Sequence, residues 1–119
     1  MGKYYAKVLF VDDHPAVLQC VGLLLKDFVF PESEVIKKSE VSIKEFLQIN
    51  PDLFISDSIT CPGIGVVEFV REAKEKGWEG EAVVCSGYEE PVSKEDRSMF
   101  LAVIKKPATP ENIKNALGL

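Results

Sequence analysis

The chain has 119 residues, 46% of them hydrophobic and 28% charged, and its 14 basic and 19 acidic side chains leave a net charge of −5. Those proportions exclude a disordered or collagen-like chain and describe one domain, long enough to bury a core without disulfide or metal staples. The acidic balance argues against direct nucleic-acid binding, which depends on basic side chains neutralising phosphates, and suits a domain that binds a cation.

Lys7 to Val11 (KVLFV) is a continuous apolar run, the pattern of a strand buried on both faces, and it stops at Asp12-Asp13. Pro15 suits the first turn of a helix, and Val17, Val21, Leu24, Leu25 and Phe28 fall on one helical face before Phe30-Pro31 breaks it. Glu34 to Lys38 is a short second strand. Ser42 with Glu45 reads as a capping box for a helix carrying Ile43, Phe46, Leu47 and Asn50, which Pro51 ends.

Asp52 to Ser56 is the third strand, again followed by an acid, Asp57. The Pro/Gly-rich stretch from Cys61 to Gly65 predicts a loop, and Val66, Phe69, Val70 and Ala73 mark the next amphipathic helix, closed by Gly77. Glu81 to Cys85 is the fourth strand, ending at Ser86-Gly87. Ser93 to Phe100 is assigned a short polar helix, and Leu101 to Ile104 the fifth strand, ending at Lys105-Lys106-Pro107. Thr109-Pro110 starts a last helix carrying Ile113, Ala116 and Leu117.

Five strands alternating with five helices predict a single α/β domain over residues 1–119, with a parallel sheet, helices on both faces and right-handed crossovers. Cys20, Cys61 and Cys85 have no metal-binding or redox spacing and read as thiols of a reducing cytosol. No signal-peptide pattern and no run of about 20 apolar residues occurs, so the sequence predicts a cytoplasmic protein without membrane contact.

In an open parallel sheet the ligand site lies outside the carboxyl ends of the strands. Here those ends carry Asp12 and Asp13, Asp57, Ser86 and Lys106. Singly, an acid at a strand end is a helix cap or turn former, Ser86 a turn serine and Lys106 a solvated charge. Their joint occurrence at successive strands sets them apart. Three carboxylates held together must raise a pKa or take up a cation, and oxygen ligands with room for water suit Mg²⁺ or Mn²⁺. A carboxylate can also act as a nucleophile toward phosphorus, with a lysine and a hydroxyl holding the phosphoryl oxygens.

The segments VLFVDDHP, PDLFISD with Gly65 eight residues beyond Asp57, VVCSG and VIKKP resemble the receiver domains of two-component response regulators, the CheY-like family, over essentially the whole chain. The resemblance implies a flavodoxin-like, doubly wound five-stranded parallel sheet in the order 2-1-3-4-5. It makes Asp57 the phospho-acceptor. It assigns Mg²⁺, or Mn²⁺, to Asp13, Asp57 and the Ile59 carbonyl, with Asp12 assisting through water. Lys106 would pair with the phosphoryl oxygens, Ser86 would bond the phosphoryl group and carry the signal, and Gly87 would leave the approach open. The implied partners are a sensor histidine kinase or phosphotransfer protein and a downstream output domain or protein, with a phosphorylation-linked dimer as a further expectation. The VDDHP segment also looks like receivers that precede a LuxR-type helix-turn-helix domain, with His14 as the marker. Read from the residues, His14 is a polar loop residue beside the site, since one histidine beside acids is no ligand set.

This sequence departs from the family pattern at Val103, where an aromatic switch residue is usual, and at Thr60-Cys61-Pro62-Gly63, where the proline falls one place later. The segment assigned to the fourth helix is short and polar. Ile59 and Tyr88 stand where family members tune phosphoryl lifetime, and their bulk would slow water attack on Asp57. The expected function is a signalling phospho-acceptor that assists its own phosphorylation and dephosphorylation, not a metabolic enzyme. The alternative is a degenerate receiver acting as a phosphorylation-independent interaction module. A metal-dependent phosphohydrolase is disfavoured, because Ile59 stands where such enzymes carry a second acid and one domain leaves no room for a cap.

Overall fold

The strands of the computed structural model, in chain order, are β1 (Lys7–Val11), β2 (Glu34–Lys38), β3 (Leu53–Asp57), β4 (Ile59–Cys61), β5 (Ile64–Gly65), β6 (Glu81–Ser86) and β7 (Ala102–Lys105). Residues 5–57, 59–61, 64–86, 93–105 and 109–118 are described, without the side chains of 59–61 and 86. Five strands form one parallel sheet in the order β2-β1-β3-β6-β7, while β4 and β5 pair as a separate antiparallel ribbon. Counting only the strands of the main sheet, this is the expected order 2-1-3-4-5.

Each central strand alternates between two cores, because successive side chains of a strand face opposite ways. Leu9, Val11, Phe54, Ala82 and Val84 face one side, where they meet α2 (Ile43–Ile49) and α3 (Val66–Glu75) through Phe46, Val66, Phe69, Val70 and Ala73. Val8, Phe10, Leu53, Ile55, Val83 and Cys85 face the other, against α1 (Pro15–Leu24) and α4 (Pro110–Ala116). The first core is built on aromatic edges: the Phe46 ring lies 4.9 Å from both Phe54 and Trp78 and 5.2 Å from Phe69, in T-shaped pairs. Burial on both faces explains why β1, β3 and β6 read as unbroken apolar runs. β2, at the sheet edge, keeps a partly exposed pattern.

Several local expectations need correction. α1 runs straight into a π-helical turn, Leu25–Val29. A π-turn spends an extra residue per turn, so the apolar face rotates. Leu25 is fully buried and Val29 packs on the core, whereas Phe28 is 69% exposed and Leu24 40%. α2 stops at Ile49, and Asn50 takes the left-handed cap conformation at φ 50° instead of continuing it. β3 and β7 sit one residue later than expected, and β6 extends to Ser86. The stretch expected to be a loop after Asp57 contains the β4–β5 ribbon. The helix expected over Ser93 to Phe100 is a single 3₁₀ turn, Arg97–Met99, so the described residues form four α-helices. That segment has no apolar stripe to dock; it is tied to α3 by Arg71, whose Nη2 lies 2.7 Å from Asp96 Oδ1. In α4, Ile113 is buried and Leu117 packs on the core, but Ala116 is exposed.

The caps follow their sequence signals. Ser42 Oγ accepts from the Glu45 N–H at 3.1 Å, and Thr109 Oγ1 accepts from the Asn112 N–H at 3.1 Å. Glu45 does not close the box from its side chain alone, since its Oε2 lies 3.0 Å from Lys38 Nζ. Each cap is worth about 1 kcal/mol. They fix where α2 and α4 start, and so the lengths of the crossovers.

Candidate functional site

The sheet register brings the acids together. β1 and β3 are parallel neighbours with Phe10 beside Ile55 and Val11 beside Ser56. One residue further, Asp12 falls beside Asp57, and both continue the α1-facing set (Val8 and Phe10; Leu53 and Ile55). The backbone N–H of Asp12 still donates to the Lys38 carbonyl at 3.2 Å, so the strand end is anchored on its other edge by β2. On the far side of β3, Asp57 is paired with Cys85 of β6.

Asp12 is buried at 3% exposure, Asp57 is half-buried, and Asp13 is 70% exposed. One carboxylate oxygen from each, with one ring nitrogen of His14, all lie within 4.8 Å of one another. Like charges about 4 Å apart cost between roughly 1 kcal/mol in bulk water and roughly 4 kcal/mol at a protein surface. The burial gradient therefore leaves one acid fixed in the wall and one reaching into solvent, with Asp57 between them.

His14 belongs to the group. Its N–H donates to Asp12 Oδ1 at 2.9 Å, and its ring Nδ1 lies 3.2 Å from Asp12 Oδ1 and 3.0 Å from Asp13 Oδ1. The following proline keeps His14 out of the helical region, and its φ of −87° and ψ of 112° are extended. The side chain thus turns back over the acids instead of joining α1. His14 is thus more than the polar loop residue expected from the sequence, and the signal for this is Pro15, which fixes the backbone immediately after the acids.

The donor set fits a divalent cation. Ligands opposite one another across a cation with bonds of 2.0–2.1 Å lie about 4.2 Å apart, so a spread of 4.8 Å closes with small side-chain rotations. Asp12, Asp13 and Asp57 form a cluster that could hold such an ion. Ile59, the other expected ligand residue, opens β4 two residues beyond Asp57. Ser86 ends β6, but its side chain lies outside the described residues, as do Gly87, Tyr88, Lys106 and the Pro62-Gly63 pair. Val103 is half-buried on β7, paired with Val84 and packed on the aromatic core. Cys20 is exposed and Cys85 buried, and neither forms a disulfide among the described residues. Among the described residues no helix is long and apolar enough to cross a membrane.

No protein-family model and no curated protein matches the sequence. Solved structures match the fold: a parallel five-stranded α/β sheet of the flavodoxin-like class. A DNA-binding response regulator of the LuxR family from Staphylococcus aureus superposes with a TM-score of 0.77 at 16% identity, covering 95% of this chain and 96% of that one. A response regulator receiver domain protein from Clostridium thermocellum gives 0.74 at 22%, covering 95% and 91%. The chemotaxis response regulator CheY4 of Vibrio cholerae gives 0.69 at 25%, covering 95% and 96%. Over nearly its whole length, the chain has the fold of response-regulator receiver domains.

Proposed function

We propose that this domain is a phosphorylatable receiver of a two-component system, with Asp57 as the phospho-acceptor. The observation that carries the reading is the meeting of Asp12, Asp13 and Asp57 at the carboxyl ends of adjacent central strands, in a sheet of the receiver topology. In the reaction a carboxylate oxygen of Asp57 attacks the phosphorus of a phosphohistidine. The P–N bond breaks, and its electron pair leaves with the imidazole of the donor. Asp12, Asp13, Asp57 and the Ile59 carbonyl would hold a divalent cation, which when bound would supply positive charge to the phosphoryl oxygens. Asp12 is fixed by burial and by the His14 N–H, Asp57 lies at the boundary with solvent, and Lys106 and Ser86 take the remaining phosphoryl oxygens. The donor is a histidine kinase or phosphotransfer protein. The output is a partner domain whose binding changes when Asp57 gains roughly one to two negative charges. The site then works as a switch and not as a metabolic enzyme.

Intact-mass analysis after incubation with acetyl phosphate and Mg²⁺ tests this. The wild type gains one phosphoryl group and Asp57→Asn gains none; an unmodified wild type, or a modified Asp57→Asn, overturns the reading. Val103 favours a second reading, a phosphorylation-independent interaction module. A packed, β-branched side chain is stiff and has no ring to swing between two positions. Beryllofluoride separates the two. Backbone amide shifts spreading to β7 support the switch, and shifts confined to the cluster support the module.

A further inference from the structure

We infer that His14 is a fourth side-chain ligand of the cation site, beside the three carboxylates and the Ile59 carbonyl, and that the site therefore selects a borderline transition metal such as Mn²⁺, Co²⁺ or Zn²⁺ over Mg²⁺. The inference rests on the proposed cation site and adds to it the identity of the ion. Ligands adjacent on one cation with bonds of 2.0–2.1 Å are separated by about 3 Å. The Nδ1 of His14 lies 3.0 Å from Asp13 Oδ1 and 3.2 Å from Asp12 Oδ1, the spacing of neighbouring ligands in one coordination sphere. Its ring is 65% exposed, so no packing force holds it there. What keeps it in place is the extended backbone before Pro15 and the attraction of the acids.

A ring nitrogen changes the chemistry of the set. Carboxylates and water satisfy Mg²⁺, which gains little from imidazole, whereas affinity for imidazole rises from Mn²⁺ through Co²⁺ and on to Zn²⁺. Three carboxylate oxygens, the Ile59 carbonyl and one nitrogen leave one position of an octahedron for water or for an oxygen of a phosphoryl group.

The chain has one histidine, so its imidazole resonances are unambiguous. Long-range ¹H–¹⁵N spectra of the wild type are recorded with Zn²⁺ alone and with Mg²⁺ alone, and affinities for Co²⁺ and Mg²⁺ are measured calorimetrically. Expected is a displaced Nδ1 signal with Zn²⁺ and none with Mg²⁺. His14→Ala should weaken Co²⁺ by at least about tenfold while Mg²⁺ stays within about threefold. His14→Gln should behave as His14→Ala, and an unchanged far-UV spectrum in both keeps the comparison on the ligand. An unmoved imidazole signal, or equal losses for both metals, overturns the assignment of His14. If Mg²⁺ still binds and Asp57 is still phosphorylated, only this inference falls. If the wild type binds neither metal, the cation site itself falls with it.

Discussion

At the amino end of the sheet, Asp52 Oδ2 accepts from the backbone N–H of Lys7 at 2.9 Å, and Glu81 Oε2 accepts from the Tyr5 hydroxyl at 3.0 Å. At the carboxyl end, Asp12, Asp13 and Asp57 crowd one another around a single imidazole. Both groups punctuate strands, and both look alike as acids beside apolar runs. The amino-end acids join neighbouring segments: Asp52 ties the start of β3 to β1, and Glu81 ties β6 to Tyr5. The carboxyl-end acids add mutual repulsion to the apo protein, which a charged ligand relieves. An acid at a strand end is therefore read by its company: a single acid bonded to a donor in one case, three acids gathered with one another and an imidazole in the other.

The comparison can be pushed hardest with a metal titration. A cation at one hundred times its Kd should stabilise the wild type by about 2.7 kcal/mol. Asp52→Asn should keep that gain and Asp13→Asn should lose it, as read by the shift in Tm. Next in size is close packing beside the amino-end acids. A Cβ at Gly80 would lie 2.6 Å from the Pro51 carbonyl oxygen and 2.6 Å from the Trp78 ring, whose Nε1 already donates to that oxygen at 2.8 Å. Gly80→Ala should cost about 2 kcal/mol in denaturant unfolding, since backbone and a packed indole must both give way.

Tyr5→Phe, which removes the hydrogen bond to Glu81, should cost about 1 kcal/mol at neutral pH. Burial, then the hydrogen bond and charge of Glu81, push the Tyr5 hydroxyl from 10.0 up to about 12. The unfolded chain releases that proton near pH 10 while the folded one keeps it. The wild type should thus lose stability from about pH 10 to 12, and Tyr5→Phe should lose less across that window. The smallest effect has the opposite sign. Without cation, Asp13→Asn relieves repulsion at a well-exposed carboxylate and should stabilise by about 0.5 kcal/mol or less. A destabilised apo Asp13→Asn would remove the contrast between the two ends.

The sheet was legible because β1, β3 and β6 are apolar on both faces, a pattern few other structures demand. The site's acids were legible for the same reason, since each ends such a run. The extra turn at Leu25–Val29 was not, because nothing local marks a π-turn: Phe28 and Val29 are equally apolar, and only the packed structure decides which faces inward. The β4–β5 ribbon was hidden by Pro62-Gly63, which reads as loop whatever flanks it. His14 was hidden by adjacency. A ligand set gathered from distant segments stands out as a spacing, whereas a residue next to two acids looks like part of the same turn.

The order of strands also bears on how the molecule acquires its shape. β1 is made first but lies between β2 and β3, so both its hydrogen-bonding edges wait for chain synthesised later. Until Leu53–Asp57 has emerged, the KVLFV segment presents an open edge and two apolar faces, the form of strand that pairs with other chains. The parallel pairings it awaits span long loops and form slowly. The acids that follow KVLFV then serve the nascent chain as well: Asp12 and Asp13 place two negative charges at the end of an apolar strand that is still unpaired.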